Sequence, residues 1–342
     1  MNIKSKSLKT LDNNTSYHGC AFFLEEDKAY QIENCIFENC SFRTGVIFER
    51  VENCRFIDCN FSHKLGFELE NIKDIPEDIR QLNSLSHLKL TDATMIELPR
   101  EVLQLTSLTH LDVANTKIAI LPKKIAQLSC LTHLNLGATD IAELPNEIAH
   151  LTSLTHLNLE ATDITELPLQ IGQLSSLTHL DLSYTTELSE LPPQIGQLSS
   201  LTHLDLTGTT IEELPKEIGN LSSLTHLFLC DMAIEKLPKE IGLLSSLVEL
   251  DLGETDIEEL PKEIVRLTSL THLSFHGTEI EELPREVLSI SSLTHLNLSY
   301  TAIEVLPKEI TQLSTLKELR LTGAPITDLP QFKQLPNLNI LM

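Results

Sequence analysis

The chain has no tryptophan, its aromatics amount to 4% of residues, and its apolar runs extend only a few residues. A membrane-spanning helix needs about 20 consecutive apolar residues, so no such segment is readable. The amino terminus, MNIKSKSLKTLDNNT, carries lysines with no apolar stretch behind them. No secretory signal is readable there, and the expected location is the cytoplasm, or another cell reached without Sec export. Basic residues are scarce as well: 25 Lys and Arg face 49 Asp and Glu, a net charge of −24. Such an excess repels phosphate backbones and anionic bilayers, so neither nucleic acid nor membrane is expected as a partner. Enzyme signatures are missing too, among them Gly-x4-Gly-Lys-Ser/Thr, Gly-x-Gly-x-x-Gly, His-Glu-x-x-His and Gly-x-Ser-x-Gly. The chain is therefore read as a non-enzyme, with no catalytic residue, no cofactor and no metal assigned.

What is present is repetition. Leucine opens a unit at Leu85, Leu108, Leu131, Leu154, Leu177, Leu201, Leu224, Leu247, Leu270, Leu293, Leu316 and Leu338, spaced by 23 residues except for one 24 and a final 22. The unit reads L-T-H-L-x-L-x-x-T-x-I-x-x-L-P-x-x-I-x-x-L-x-x, as from Leu201 to Ser223. A degenerate unit with Leu65, Phe67, Ile75, Pro76, Ile79 and Leu82 in phase precedes these, so the array starts near Ser62. L-x-x-L-x-L alternates with the strand period: positions 4 and 6 point inward, and positions 3 and 5 line the opposite face. Proline at position 15 is pre-set for the first turn of a helix, and an acid at position 17, as at Glu217 and Glu240, suits its positive end. Seven apolar positions cannot be buried inside one such unit, so neighbours must stack and share a core. A right-handed solenoid with a parallel sheet on its inner face follows.

This is the leucine-rich repeat pattern. The LPxEIxxL half closely resembles the 23-residue intracellular class found in Ras-binding scaffold proteins, plant Ras-group repeats and many bacterial repeat proteins. The resemblance spans roughly Ser62 to Met342 and implies an α/β horseshoe of about 12 units, with a concave parallel sheet and short convex helices. It also implies a protein-interaction scaffold that holds a protein partner on the concave face, such as a bacterial effector or a signalling regulator. Position 9 departs from the pattern, because Thr116, Thr139, Thr162, Thr185, Thr209, Thr255, Thr278 and Thr301 stand where asparagine is usual. A threonine ladder to adjacent turns is expected in its place, weakened where Ala93, Met232 and Ala324 interrupt it.

Residues 1–61 differ in composition, for 10 of the 15 aromatics precede residue 68 and 5 of the 7 cysteines lie between Cys20 and Cys59. Cys35, Cys40, Cys54 and Cys59 each stand two residues before Phe37, Phe42, Phe56 and Phe61. This five-residue rhythm resembles the pentapeptide-repeat β-helix, whose small or thiol residue and central Phe both point inward. A small β-helix-like cap over the amino-terminal edge of the array is the implied role. Buried structural thiols are the reading taken, with a four-thiolate zinc site and disulfides as the alternatives.

Position 3 holds nine of the thirteen histidines, His87, His110, His133, His156, His179, His203, His226, His272 and His295, with Glu249 and Glu318 as exceptions. Strands about 4.8 Å apart would place His87 to His226 in one row beside the Asp and Asn of position 5. Such a row could serve as a metal- or pH-responsive binding surface, the alternative to a plain scaffold. Departures from the columns are more informative. Phe228 replaces Asp or Asn between Asp205 and Asp251, Tyr184, His276 and Tyr300 occupy positions 7 or 8, and Lys89 and Arg320 put cations near the two ends. The candidate partner-binding residues are Tyr184, His203, Asp205, His226, Phe228, Asp251, His272, His276 and Tyr300. The acid collects elsewhere, at positions 12, 13 and 17, as a solvated rim. The last strand, LPNLNILM, is read as an uncovered edge; a monomer is expected, with a tail-to-tail dimer as the alternative.

Overall fold

The computed structural model describes residues 1–25, 28–44, 46–52, 54–57, 59–61, 65–68, 85–90, 95–332 and 335–342. The chain divides into two compact units, Met1–Leu157 and Asn158–Met342.

The first unit opens as a parallel coil. Strands Asn2–Lys4, Ser16–His18, Ile36–Glu38 and Arg55–Ile57 pair in register to form one sheet; Ser7–Leu8, Ala21–Phe22, Ser41–Phe42 and Asn60–Phe61 form a second. Inside, Tyr17, Phe37 and Phe56 stack face to face at centroid distances of 5.1 and 4.8 Å, and Phe22 stacks on Phe42 at 4.7 Å. The rhythm read from Cys35 onward therefore begins a turn earlier, with Thr15 before Tyr17 and Cys20 before Phe22, all four buried. A third face, Ala29–Glu33, Val46–Glu52 and Leu65–Glu68, runs directly into the repeat strands Leu85–Lys89, His110–Asp112 and His133–Asn135. Most of the degenerate unit expected between residues 62 and 84, and Ala93, lie outside the described residues.

The thiols serve the coil. Cys35 Sγ donates to the carbonyls of Glu33 and Asp12 at 3.3 and 3.4 Å, Cys40 Sγ to those of Tyr17 and Glu38 at 3.5 Å, and Cys59 Sγ to that of Phe37 at 3.4 Å. Cys20, Cys35 and Cys40 are buried; Cys54 and Cys59 are only half-buried, because they stand on the last level of the thiol column. The hydrogen bond from Cys59 holds the Cys40 thiol down at about 7.

In the second unit the strands His179–Asp181, His203–Asp205, His226–Phe228, Glu249–Asp251, His272–Ser274, His295–Asn297, Glu318–Arg320 and Asn339–Leu341 pair parallel and in register. Each unit is a solenoid whose leucines at positions 1, 4 and 6 and isoleucines at positions 11 and 18 are removed from water, as Leu201, Leu204, Leu206, Ile211 and Ile218 show at 0% exposure. Burial of that kind contributes roughly 1.5–3 kcal/mol per side chain. The connecting helices are five-residue 3-10 turns, apart from the three-residue Val102–Gln104. Proline caps them from outside: Pro215 is extended, at φ −64° and ψ 144°, and the helix begins at Lys216.

The threonine ladder forms at a different position from the one expected. At position 9 the buried hydroxyls, Thr209 apart, bond the carbonyl three residues back in their own unit, as Thr116 to Val113 and Thr255 to Leu252 at 2.7 Å. The link between units is made at position 2, where Thr132 Oγ1 donates to Thr109 O at 3.0 Å, Thr225 to Thr202 O at 2.9 Å, and Thr294 to Thr271 O at 3.0 Å. Position 9 lies at a tight turn, where the nearest carbonyl belongs to its own unit; position 2 lies beside the preceding strand. Of the interruptions, Met232 is packed inside at 3% exposure and its unit has an open bend in place of the turn. Ala324 keeps its turn through its N–H on Leu321 O at 3.0 Å.

Candidate protein-binding face

Positions 3 and 5 stand half-exposed on the sheet face of each unit. In the first unit the rings of His87, His110, His133 and His156 stack at successive centroid distances of 4.0, 4.0 and 4.1 Å. In the second, His179, His203 and His226 stack at 4.2 Å, Glu249 interrupts, and His272 and His295 resume at 4.2 Å. The threonine before each ring fixes its protonation pattern. Thr202 Oγ1 spends its one hydrogen on Thr178 O at 2.9 Å, so its 2.9 Å contact with His203 Nδ1 requires that Nδ1 carry the proton. The same pair recurs at Thr109–His110, Thr132–His133, Thr225–His226 and Thr294–His295. Each neutral ring therefore keeps Nε2 as an acceptor. Sequence reading missed this role of the threonine, although its constant place before histidine was the signal.

Close stacking opposes charge. Burial first, and then the facing His179 and His226, hold His203 below the usual imidazole range, against an upward pull from Glu249. Burial and then His272 lower His295 likewise, against Glu318. For these two rings desolvation and ring-to-ring repulsion outweigh the neighbouring carboxylates of Glu249 and Glu318. Among the described residues, no three His, Cys, Asp or Glu side chains converge on a point where a metal ion could be held. Parallel rings offer successive nitrogens side by side and do not converge.

The acids of position 5 are turn caps. Asp112 Oδ1 accepts the N–H of Ala114 at 3.0 Å, Asp205 that of Thr207 at 2.9 Å, Asp251 that of Gly253 at 3.0 Å, and Asn135, Asn158, Asp181 and Asn297 do the same two residues on. Burial, and then Asp181 and Asp251, raise Asp205 despite its bonds to Thr207. Phe228 cannot make this cap, and among the described residues its unit is the one with the open bend. The ring is half-exposed, 6.3 Å from that of His226 and paired by register with Asp205 and Asp251.

The other candidates fall into two groups. Asp251 and His272 line a hollow of about 430 Å³ with Glu249, His295 and Arg320, floored by Ser274, whose small side chain opens the space. Asp251, His276 and Tyr300 line an adjoining hollow of about 520 Å³, in which Tyr300 meets His276 edge-on at 5.3 Å and His276 faces Glu254 at 3.8 Å. Tyr184, His203, Asp205, His226 and Phe228 stand outside both walls. Tyr184 and Tyr300 are 51% and 60% exposed and take left-handed backbone, at φ 57° and 58°. Arg320 Nε is held by Glu318 at 2.6 Å.

The profile of the leucine-rich repeat region matches residues 123–189 and 216–284, and that of the single leucine-rich repeat matches 200–221. The chain is a leucine-rich repeat protein. Among solved structures it is similar to the plant peptide hormone receptor RGFR1 in complex with RGF2, with a TM-score of 0.67 and 23% identity over 93% of this chain and 53% of that one. A TDR receptor gives a TM-score of 0.63 at 25% identity over 81% of this chain and 55% of that one. An internalin, InlF, from Listeria monocytogenes gives 0.60 at 19% identity over 80% and 84%. No match is found among curated protein sequences. Proteins of this class are generally protein-interaction scaffolds.

Proposed function

We propose that the chain is a non-enzymatic scaffold that binds a protein partner on the sheet face of residues 158–342, with Phe228 as its central anchor. One observation carries this reading: from Asp112 to Asp205, and again at Asp251 and Asn297, position 5 supplies the acceptor that caps its own turn, and at Phe228 the cap is given up for a half-exposed aromatic ring. A hydrogen bond of this kind is worth about 1 kcal/mol, and a lone surface phenylalanine returns nothing to the fold for it. Aromatic residues in a polar field are typical anchors of interfaces. Tyr184 and Tyr300, held exposed on left-handed backbone, would widen the contact to either side. The plant receptor in complex with RGF2 supports the use of this fold for binding, and the partner of the present chain is taken to be a protein in a reducing compartment, met by a monomer acting as an effector or signalling regulator. Residues 1–61 act as the cap of the repeats. The test is a capture experiment from the source cells with the intact protein, Phe228→Ala and Tyr184→Ala. A partner held by the intact protein and lost from both variants supports the reading; a partner held equally by all three sinks it.

A second reading is favoured by the threonine–histidine bonds, which set a row of neutral rings side by side with one tautomer. Acidification would convert that row from acceptors to cations and so make partner binding depend on pH. Binding measured between pH 5 and pH 8 tests it, and equal affinity across that range would leave the row without this role.

A further inference from the structure

The helical side of the second unit opens where one column changes. At position 19 a glycine lets each 3-10 helix lie against the next: a β-carbon on Gly242 would collide with the carbonyl oxygen of Glu263. The helices Lys216–Asn220, Lys239–Leu243 and Lys262–Arg266 accordingly pack closely. Position 19 then becomes Val265 and Leu288, and the packing loosens at each step, least close between Arg285–Ser289 and Lys308–Gln312. Between these last two helices lies a groove of about 1030 Å³. Leu288, Val305 and Pro325 give it apolar walls, Val305 being 61% exposed where the same position holds Glu213, Glu259 and Glu282 in other units. Glu281, Glu282 and Glu304 stand on its rim, and Arg285 is the one cation among the lining residues.

We propose that this groove is a second docking site, separate from the sheet face, for a short basic and apolar segment of a partner protein. Charge complementarity selects the occupant: the apolar walls demand an apolar side chain, and the carboxylate rim demands lysine or arginine beside it while repelling phosphate, nucleic acid and anionic lipid. The groove is a local departure from the array. Leu288 stands in the column that holds Gly172, Gly196, Gly219 and Gly242, and Val305 in the one that holds Glu213, Glu259 and Glu282; together they make the cleft and line it.

That departure supplies the test, because reversion restores the array's own residues and should leave the fold intact. A fluorescent ten-residue peptide of alternating leucine and lysine is titrated by anisotropy into the full chain. Binding is expected to weaken at least tenfold in Leu288→Gly and in Val305→Glu. It should weaken in Glu281→Gln/Glu282→Gln and remain within twofold in Glu212→Gln/Glu213→Gln, which changes the same charges two or more units away. Phe228→Asn should leave it unchanged, so failure here is distinct from failure of the sheet-face reading. Equal losses in the two glutamine pairs, or no loss in Leu288→Gly and Val305→Glu, would overturn the proposal. So would self-association by light scattering that Leu288→Gly abolishes, since the occupant would then be a second copy.

Discussion

The ring of Tyr184 lies over Gly208 of the following unit, where a β-carbon on Gly208 would stand 2.6 Å from Tyr184 Cδ1. Gly208 also has φ +67°, so two demands meet at one residue. Tyr300 over Gly323 repeats the arrangement, and it accounts for exposed tyrosines sitting flat on the surface. Gly208→Ala is expected to cost roughly 1–3 kcal/mol by thermal or denaturant unfolding. In a Tyr184→Ala background only the backbone part, about 1 kcal/mol, should remain. Alanine is suited to position 184, since Ala138 and Ala161 hold the equivalent place at φ 51°. Equal costs in the two backgrounds would show that the ring does not rest on the glycine.

Thr225 joins two functions in one hydroxyl, donating to Thr202 O at 2.9 Å and accepting from His226 Nδ1 at 2.8 Å. Thr225→Val keeps the shape and removes both bonds. The expected loss is about 1–2 kcal/mol. Nitrogen-15 shifts should show His226 as the Nδ1–H tautomer in the native chain and as a mixture of tautomers in the variant.

The fold was legible in the sequence because a solenoid repeats its instructions: each L-x-x-L-x-L strand and each LPxxI turn reappears with the same period. Roles that depend on which neighbour a side chain meets were less legible. Threonine at positions 2 and 9 reads alike in the sequence, yet one hydroxyl reaches the preceding strand and the other closes its own turn. The coil before Cys35 went unread because Thr15 fills the inward place without a thiol, which leaves Cys20 and Phe22 without a cysteine partner five residues before them. For the candidate face, Phe228 stood out as a break in a column, but the cost of that break could not be seen until Asp205 and Asp251 proved to be caps.

Acid should weaken the fold through the stacked rings. His203 and His295 hold pKa values below the ordinary 6.5, so between those values and 6.5 the unfolded chain binds more protons than the folded one. The stability linked to them is full above 6.5 and is lost as the pH falls through 6.5 toward their folded values. His226→Gln removes one of the facing rings and should move the His203 titration, followed by NMR, upward toward 6.5. A midpoint for His203 that is the same with and without His226 would show that the stack carries no repulsion.

Phe228→Asn separates the needs of the fold from those of binding. Asparagine at position 5 caps the turn at Asn135, Asn158 and Asn297, so in place of Phe228 it should accept the N–H of Cys230. Unlike aspartate it adds no charge beside Asp205 and Asp251. Stability is expected to rise by about 0.5–1.5 kcal/mol, the net worth of one such hydrogen bond. Partner affinity is expected to fall at least tenfold, since loss of an aromatic anchor costs about 2 kcal/mol or more. The two effects have opposite signs and are measured separately, by denaturant unfolding and by titration with the captured partner. A residue that serves the core would lose stability when replaced, and a neutral surface residue would change neither quantity. Gain of stability with loss of binding is the outcome peculiar to a side chain kept for recognition at the expense of its own turn.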